Sequence, residues 1–224
     1  MGSKNKLKRF KENETFANVI QPTREEVIKG FGHQGKWHQF FGNGNPIVLE
    51  LGCGKGEYTV GLARRYPHKN FIGIDIKGAR FWRGAKTALE EKLENVAFVR
   101  TQIELVDNIF AQQEVSEIWI TFPDPQIKYK RTKHRMTNEA FLEKYRRILK
   151  MDGMVHLKTD SEFMHGYTLG LLHGKGHQVL YANHDVYTNE GSPEEVLQIQ
   201  TFYEKQYLEK GKAITYIQFR ITNK

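Results

Sequence analysis

The chain has 224 residues, of which 39% are hydrophobic, and its 34 Lys and Arg outnumber 26 Asp and Glu to give a formal net charge of +8. That length suits one sizeable core, and the composition excludes a disordered chain and, with no apolar run near the ~20 residues a spanning helix needs, a helical membrane protein. A single cysteine, Cys53, excludes internal disulfides and cysteine-based zinc knuckles.

In chain order, Lys4, Lys6, Lys8, Arg9 and Lys11 open a basic arm over residues 1–20 that is free to be disordered, ahead of one domain over 21–224. No secretory apolar segment follows, and Lys6 breaks the myristoylation pattern, so a cytoplasmic location is expected. Trp37 lies in a helix-like segment with no legible packing partner. "PIVLELG" reads as a buried strand, "EYTVGLARRY" as a helix with Tyr58, Leu62 and Tyr66 on one face, and "NFIGIDI" as a second buried strand.

"ARFWRGAKTALEEKLE" has Phe81, Ala85, Ala88 and Leu89 at the spacing of a helix packed on a sheet, and "VAFVR" and "EIWITF" continue the strands. In "NEAFLEKYRRILK", Asn138 caps a helix burying Phe141, Tyr145 and Ile148, after which Gly153 turns the chain into "MVHLK". Such alternation predicts an α/β fold, an open and mostly parallel sheet with helices on both faces. "QVLYA" and "AITYIQFRI" lack a strongly apolar crossover helix between them, which predicts an antiparallel last pair, and residues 183–195 read as a flexible loop.

"LELGCGKGEY" sets Gly52, Gly54 and Gly56 directly after a strand and at the opening of a helix, where absent side chains let a ligand approach the backbone. Glu57 stands where a dinucleotide fingerprint wants its last glycine, and Glu57 with Tyr58 removes the P-loop pattern. Glu50 would repel a pyrophosphate yet attract an amine. Asp75, ending the second strand, stands where an acid accepts hydrogen bonds from ribose hydroxyls. Together these suit S-adenosylmethionine better than a nicotinamide dinucleotide.

The pattern Glu50-x-Gly52-x-Gly54-x-Gly56 resembles the class I S-adenosylmethionine-dependent methyltransferases. Three later blocks, "FPDPQIKYKRTKHRMT" at 122–137, "LKTD" at 157–160 and "TFYEKQYLEKGKAI" at 201–214, resemble one branch, the bacterial-type tRNA (guanine-N7-)-methyltransferases. The resemblance runs from about position 45 to the end. It implies a Rossmann-like fold with a mostly parallel seven-stranded sheet, helices on both faces and an antiparallel C-terminal strand. By the same resemblance the activity is methylation of guanine 46 in the variable loop of tRNA.

Carried over residue by residue, Glu50 and Asp75 would hold the cofactor with Gly52, Gly54 and Gly56, and Asp124 would contact both cofactor and target as the catalytic residue. Lys128, Asp160, Thr201, Phe202, Tyr203 and Glu204 would bind the guanine and its surroundings. Two departures stand out: Gln126 and Ile127 replace the family's Trp-Pro, and Gln102 replaces an Asp, keeping an amide oxygen for the adenine amino group without the charge. Which of Asp124 and Asp160 meets the guanine edge stays open.

Cations beside the strand end, Lys130, Arg131, Lys133 and Arg135, extended by Lys8 and Arg9, would hold RNA phosphates while the acid addresses the base. The nine histidines show no metal-type grouping, so no metal is expected, and Cys53 reads as a small packed side chain. Monomer and homodimer both stay open. Two rival readings are a non-catalytic RNA-binding protein on the same fold and a methyltransferase acting on protein or a small molecule; the intact acids oppose the first and the two cationic runs the second.

Overall fold

The computed structural model describes residues 3–222, with side chains from residue 5 onward. Its strands are β1 (Val19–Ile20), β2 (Ile47–Leu51), β3 (Asn70–Ile74), β4 (Val96–Val99), β5 (Val115–Thr121), β6 (Leu149–Thr159), β7 (Gln178–Asn183) and β8 (Thr215–Arg220), in the sheet order β1-β4-β3-β2-β5-β6-β8-β7. All pairings are parallel as far as β5–β6, and β8 runs antiparallel to both β6 and β7. The expected antiparallel last pair is thus present. An eighth strand joins the expected seven because the dipeptide β1 pairs with β4, and two residues are too few to carry a periodicity.

The helices are α1 (Ser3–Asn13), α2 (Arg24–Gly30), α3 (Trp37–Phe41), α4 (Glu57–Arg65), α5 (Gly78–Glu90), α6 (Val106–Ile109), α7 (Glu139–Ile148), α8 (Glu162–Gly174), α9 (Glu194–Gln198) and α10 (Phe202–Glu209). Every residue of β2, β3 and β4 is buried, as continuous apolar runs in a doubly covered parallel sheet must be. Alternation divides the core: Leu49 and Leu51 pack with α7 and α8 on one face, Val48 with α4 and α5 on the other. Among the described residues no helix is long and apolar enough to cross a membrane.

Asn138 caps α7 by accepting the Phe141 amide, and Phe141, Tyr145 and Ile148 are buried as their spacing predicts. Leu89 departs from expectation: Phe81, Ala85 and Ala88 are buried, but Leu89 lies on the flank of the apolar stripe and is 39% exposed. Gly153 does not begin the strand. β6 already starts at Leu149, and the register against β5 jumps from Leu149 to Met154, so Gly153 closes a bulge against Leu149 and Lys150.

Where a disordered arm was allowed for, α1 packs on α5: Asn13 is buried and donates to Gly78 O (3.0 Å), and Trp82 Nε1 donates to Glu12 (2.5 Å). Trp37 finds its partner in the other layer, donating from Nε1 to Ile109 O (3.2 Å). The polar loop after β7 is tied by the Asn183 amide to Ser192 Oγ (3.0 Å) and by buried Val186, and its last residues enter α9.

Chain order reverses across the sheet between β2 and β5. Their C-terminal ends therefore open a crevice, the usual ligand position in such folds. From these ends leave the glycine turn and the Asp124 loop.

Candidate active site

Beyond β2 the chain turns through Gly52, Gly54 and Gly56, all at positive φ (77°, 56° and 74°). Their roles differ. A Cβ on Gly54 would meet only Gly52 O at 3.9 Å, and one on Gly52 would come no nearer than 3.8 Å to Ile103, so both leave open space. Gly56 instead lies against Phe98, where a Cβ would stand 2.7 Å from two ring atoms. It packs the turn on the sheet. Asp75 braces the turn from β3, its Oδ2 accepting from Gly54 N (3.1 Å) and Oδ1 from Lys77 N (2.8 Å).

Glu50 lies beneath this turn, not in the crevice. Its Oε2 accepts from Thr59 N (2.8 Å) and the Thr59 hydroxyl, and its Oε1 from Thr121 Oγ1 (2.6 Å), joining the start of α4 to the end of β5. Burial pushes its carboxyl up to about 7 against the opposing hydrogen bonds from Thr121 and Thr59. With both oxygens engaged by donors at the start of α4 and the end of β5, Glu50 braces the turn.

A cleft of about 360 Å³ gathers Asp75, Gln102 and Asp124 at the ends of β3, β4 and β5, with Arg131 and His134 also in its lining. Ile76, Ile103 and Met136 supply its apolar surface. Gln102 shares its amide oxygen with a residue the sequence did not single out, Arg24 of α2, whose Nε donates to it at 3.3 Å. A larger cavity of about 500 Å³ lies at the other end of β5 and β6, beside Asp107 and Gly153, and holds none of the candidate residues.

The loop carrying Asp124 is bent and pinned. Phe122 and Gln126 both have positive φ, 49° and 48°, a conformation that costs energy for non-glycine residues and persists only where neighbours impose it. Phe122 N donates to Lys158 O (2.8 Å), and Asp124 Oδ1 accepts from Gln126 N (3.1 Å). The decisive neighbour is Arg135. It is 6% exposed, donates from Nε to Gln126 O and from Nη2 to Ile127 O (both 3.2 Å), and lies over the rings of Phe163 and Tyr167 of α8. Arg135 is therefore the loop's pin, a correction to its expected place among the RNA-facing cations.

Lys128, Lys130, Arg131 and Lys133 stand exposed on or beside the 3-10 turn Tyr129–His134, and none forms an ion pair among the described residues, although lysines elsewhere do. Lys8 is paired loosely with Glu12 at 3.8 Å, and the Arg9 guanidinium lies over Trp82. Asp160 follows β6 and is bonded to Lys212 Nζ (2.7 Å). It lies outside the lining of the cleft, as do Lys128 and residues 201–204.

Thr201 and Glu204 form a capping box at the start of α10. Glu204 is fully buried: Oε1 meets Lys158 Nζ (2.6 Å) and Tyr187 Oη (2.7 Å), while Oε2 accepts from Thr201 N. Sequence reasoning missed Lys158, although a lysine inside the apolar strand "MVHLK" signals a buried partner. Thr201 and Glu204 thus hold the helix, and Phe202 and Tyr203 are exposed aromatic residues on it. Phe202 is joined to the glycine turn, its N–H donating to Glu57 (2.9 Å) and its ring lying 3.4 Å from Lys55 Nζ.

Among the described residues no group of three or more His, Cys, Asp or Glu could hold a metal ion. Cys53 is buried, with burial pushing its thiol well above the ordinary range, which is the state of a packed side chain and not a nucleophile.

A family model described as "Putative methyltransferase" matches residues 44–217. The tRNA (guanine-N(7)-)-methyltransferase of Christiangramia forsetii is 74% identical over 223 residues, covering 99% of this chain and 100% of its own length. That of Bacteroides thetaiotaomicron is 50% identical over 220 residues, covering 97% and 86%. Among solved structures, the 16S rRNA methyltransferase KamB aligns with a TM-score of 0.64 at 13% identity, covering 84% of this chain and 94% of that one. At that identity the likeness is one of fold alone.

Proposed function

This chain belongs to the tRNA (guanine-N7-)-methyltransferase family, and from that premise we propose that it takes S-adenosylmethionine in the Asp75–Gln102–Asp124 cleft and methylates N7 of guanine 46 in tRNA. The observation that carries this reading is the single cleft shared by those three residues, with Arg131 on its wall. Position 46 is supported by the resemblance of the three sequence blocks.

The residues present fit the methyl donor. Gly52 leaves room beside Ile103 and Met136, and Gly54 opens on space. Asp75, whose oxygens each hold one backbone amide, keeps further lone pairs for ribose hydroxyls, and Gln102 offers an amide to the adenine edge. Bound there, S-adenosylmethionine supplies an electrophilic methyl group on a cationic sulfur. Glu50 acts through the turn it braces.

Guanine N7 has an in-plane lone pair and no proton, so the chain has no general base to provide. Its task is placement, which in favourable cases lowers a barrier by ~7–11 kcal/mol. Positive charge grows on the purine during transfer. Asp124, whose Oδ2 has no partner among the described residues, faces that charge and stabilises it. Asp160, outside the cleft lining and held by Lys212, suits the guanine N1–H and exocyclic amine once Lys212 gives way.

Lys128, Lys130, Arg131 and Lys133 hold backbone phosphates, with Lys8 as an outlying contact. Incubating the protein with labelled donor and, separately, unmodified tRNA, 16S rRNA and protein extract tests this. The expected result is label in tRNA as 7-methylguanosine; label in protein or in rRNA instead would overturn the reading.

A further inference from the structure

Tyr129 takes part in none of the contacts above. It is 93% exposed, and its hydroxyl makes no hydrogen bond among the described residues, while Ile127 beside it is 66% exposed. A large aromatic left bare in water would by itself mean little. Here, however, its backbone is fixed: Tyr129 O accepts from Thr132 Oγ1 (2.7 Å), and Arg131 N donates to Lys128 O (2.8 Å) across it. The loop beneath is pinned by Arg135 through Gln126 O and Ile127 O. Its immediate neighbours, Lys128 and Lys130, are exposed cations without an ion pair among the described residues, and Arg131 reaches the Asp124 cleft.

An exposed aromatic ring on a fixed backbone, between cations suited to phosphates, matches the chemistry of single-stranded RNA recognition, in which an unstacked base lies on a ring while the backbone is held by charge. We propose that Tyr129 stacks on a nucleobase adjoining the purine that enters the Asp124 cleft, replacing the neighbour that base loses when the target leaves its stack. The inference rests on the tRNA-methylation reading and adds to it a base-stacking residue at a position where the resembling motifs imply no role.

Equilibrium binding of end-labelled unmodified tRNA at fixed salt tests it with Tyr129→Ala, Tyr129→Phe and Tyr129→Trp, beside methyl transfer by the wild type. Tyr129→Ala should raise Kd roughly 5- to 150-fold, the range expected for one lost base–aromatic stack, without changing the salt slope. Tyr129→Phe should stay within about twofold of wild type, and the indole of Tyr129→Trp should become shielded from acrylamide when tRNA binds. An alanine variant binding as well as wild type, a phenylalanine variant as weak as alanine, or an indole still open to acrylamide in the complex would overturn the stack. Failure of the wild type itself to bind and methylate tRNA would instead remove the underlying reading.

Discussion

The guanidinium carbon of Arg135 lies 4.4 Å from the ring centroid of Tyr167, so a cation from the basic run after Asp124 is turned inward onto α8 instead of outward to solvent. Its N–H groups hold Gln126 O and Ile127 O, and through them the shape of the loop that carries Asp124. Planarity is essential to doing both at once, which lysine cannot.

Arg135→Ala and Arg135→Lys should therefore both lower kcat/KM by about 10²-fold, the cost of misplacing a reacting group by roughly an ångström. Neither should change the salt slope of tRNA binding, whereas losing a phosphate contact would reduce it by about 0.7–0.9. Steady-state kinetics with binding titrations across salt separate the two. A reduced slope with kcat intact would return Arg135 to the RNA-facing set.

Lys130→Ala with Arg131→Ala should do the reverse. These side chains are exposed and form no ion pair among the described residues. Their loss should leave thermal stability unchanged, weaken tRNA binding and lower the salt slope by about 1.4–1.8 if each meets one phosphate. Equilibrium binding at several salt concentrations measures this, and an unchanged slope contradicts the assignment.

Among the described residues the one side-chain hydrogen bond of Asp124 is accepted from Gln126 N, and an asparagine oxygen can also accept it. Asp124→Asn should keep the loop's shape and tRNA affinity while reducing single-turnover methyl transfer by roughly 10²-fold, the usual scale for removing a group that stabilises developing charge. Equal losses in rate and affinity would mean that Asp124 serves binding.

Lys158 and Glu204 are both fully buried and 2.6 Å apart. Burial lowers the lysine's proton affinity while Glu204 raises it. Removing one partner strands the other charge, so Glu204→Ala should cost about 3–5 kcal/mol of unfolding free energy. Lys158→Met combined with Glu204→Leu should cost less than that single change, because no charge is left unpaired. Denaturant melts of wild type and the two variants decide it; a double variant that costs as much as Glu204→Ala would argue against a coupled pair.

Glu50 makes stability depend on pH in a direction opposite to that of most carboxylates. Its folded pKa is raised to about 7 from an ordinary 4.5, so its contribution is fully present below about pH 4.5 and is lost as pH rises through about 7. Glu50→Gln abolishes that loss. Relative to the variant, wild type should fall by about 3 kcal/mol between roughly pH 4 and pH 8. Unfolding curves at both pH values check this, and a constant difference between the proteins contradicts it.

The sheet, its antiparallel end and the α7 cap were legible because apolar runs, helical spacing and a cap residue are local signals. The glycine turn and Asp75 were legible for the same reason. What lay hidden was pairing across the fold. In "RTKHR" every cation looks alike, and only α8 brings Phe163 and Tyr167 to the one at position 135. Glu204 looks like a surface acid in "TFYE" until Lys158 arrives from β6, although the Thr201-x-x-Glu204 spacing already spelled a capping box. Glu50 sits where a ligand-binding acid is expected, and it took Thr59 and Thr121 to show that both its oxygens are spent inside.

The most direct measurement is to methylate an unmodified tRNA transcript with this protein and S-adenosylmethionine, cleave the chain chemically at 7-methylguanosine and read the site of the cut. One cut at guanine 46, absent from a transcript carrying adenine there, is the expected result. Folded protein that binds the donor yet leaves guanine N7 unmodified, or places the methyl at another position, would contradict the account.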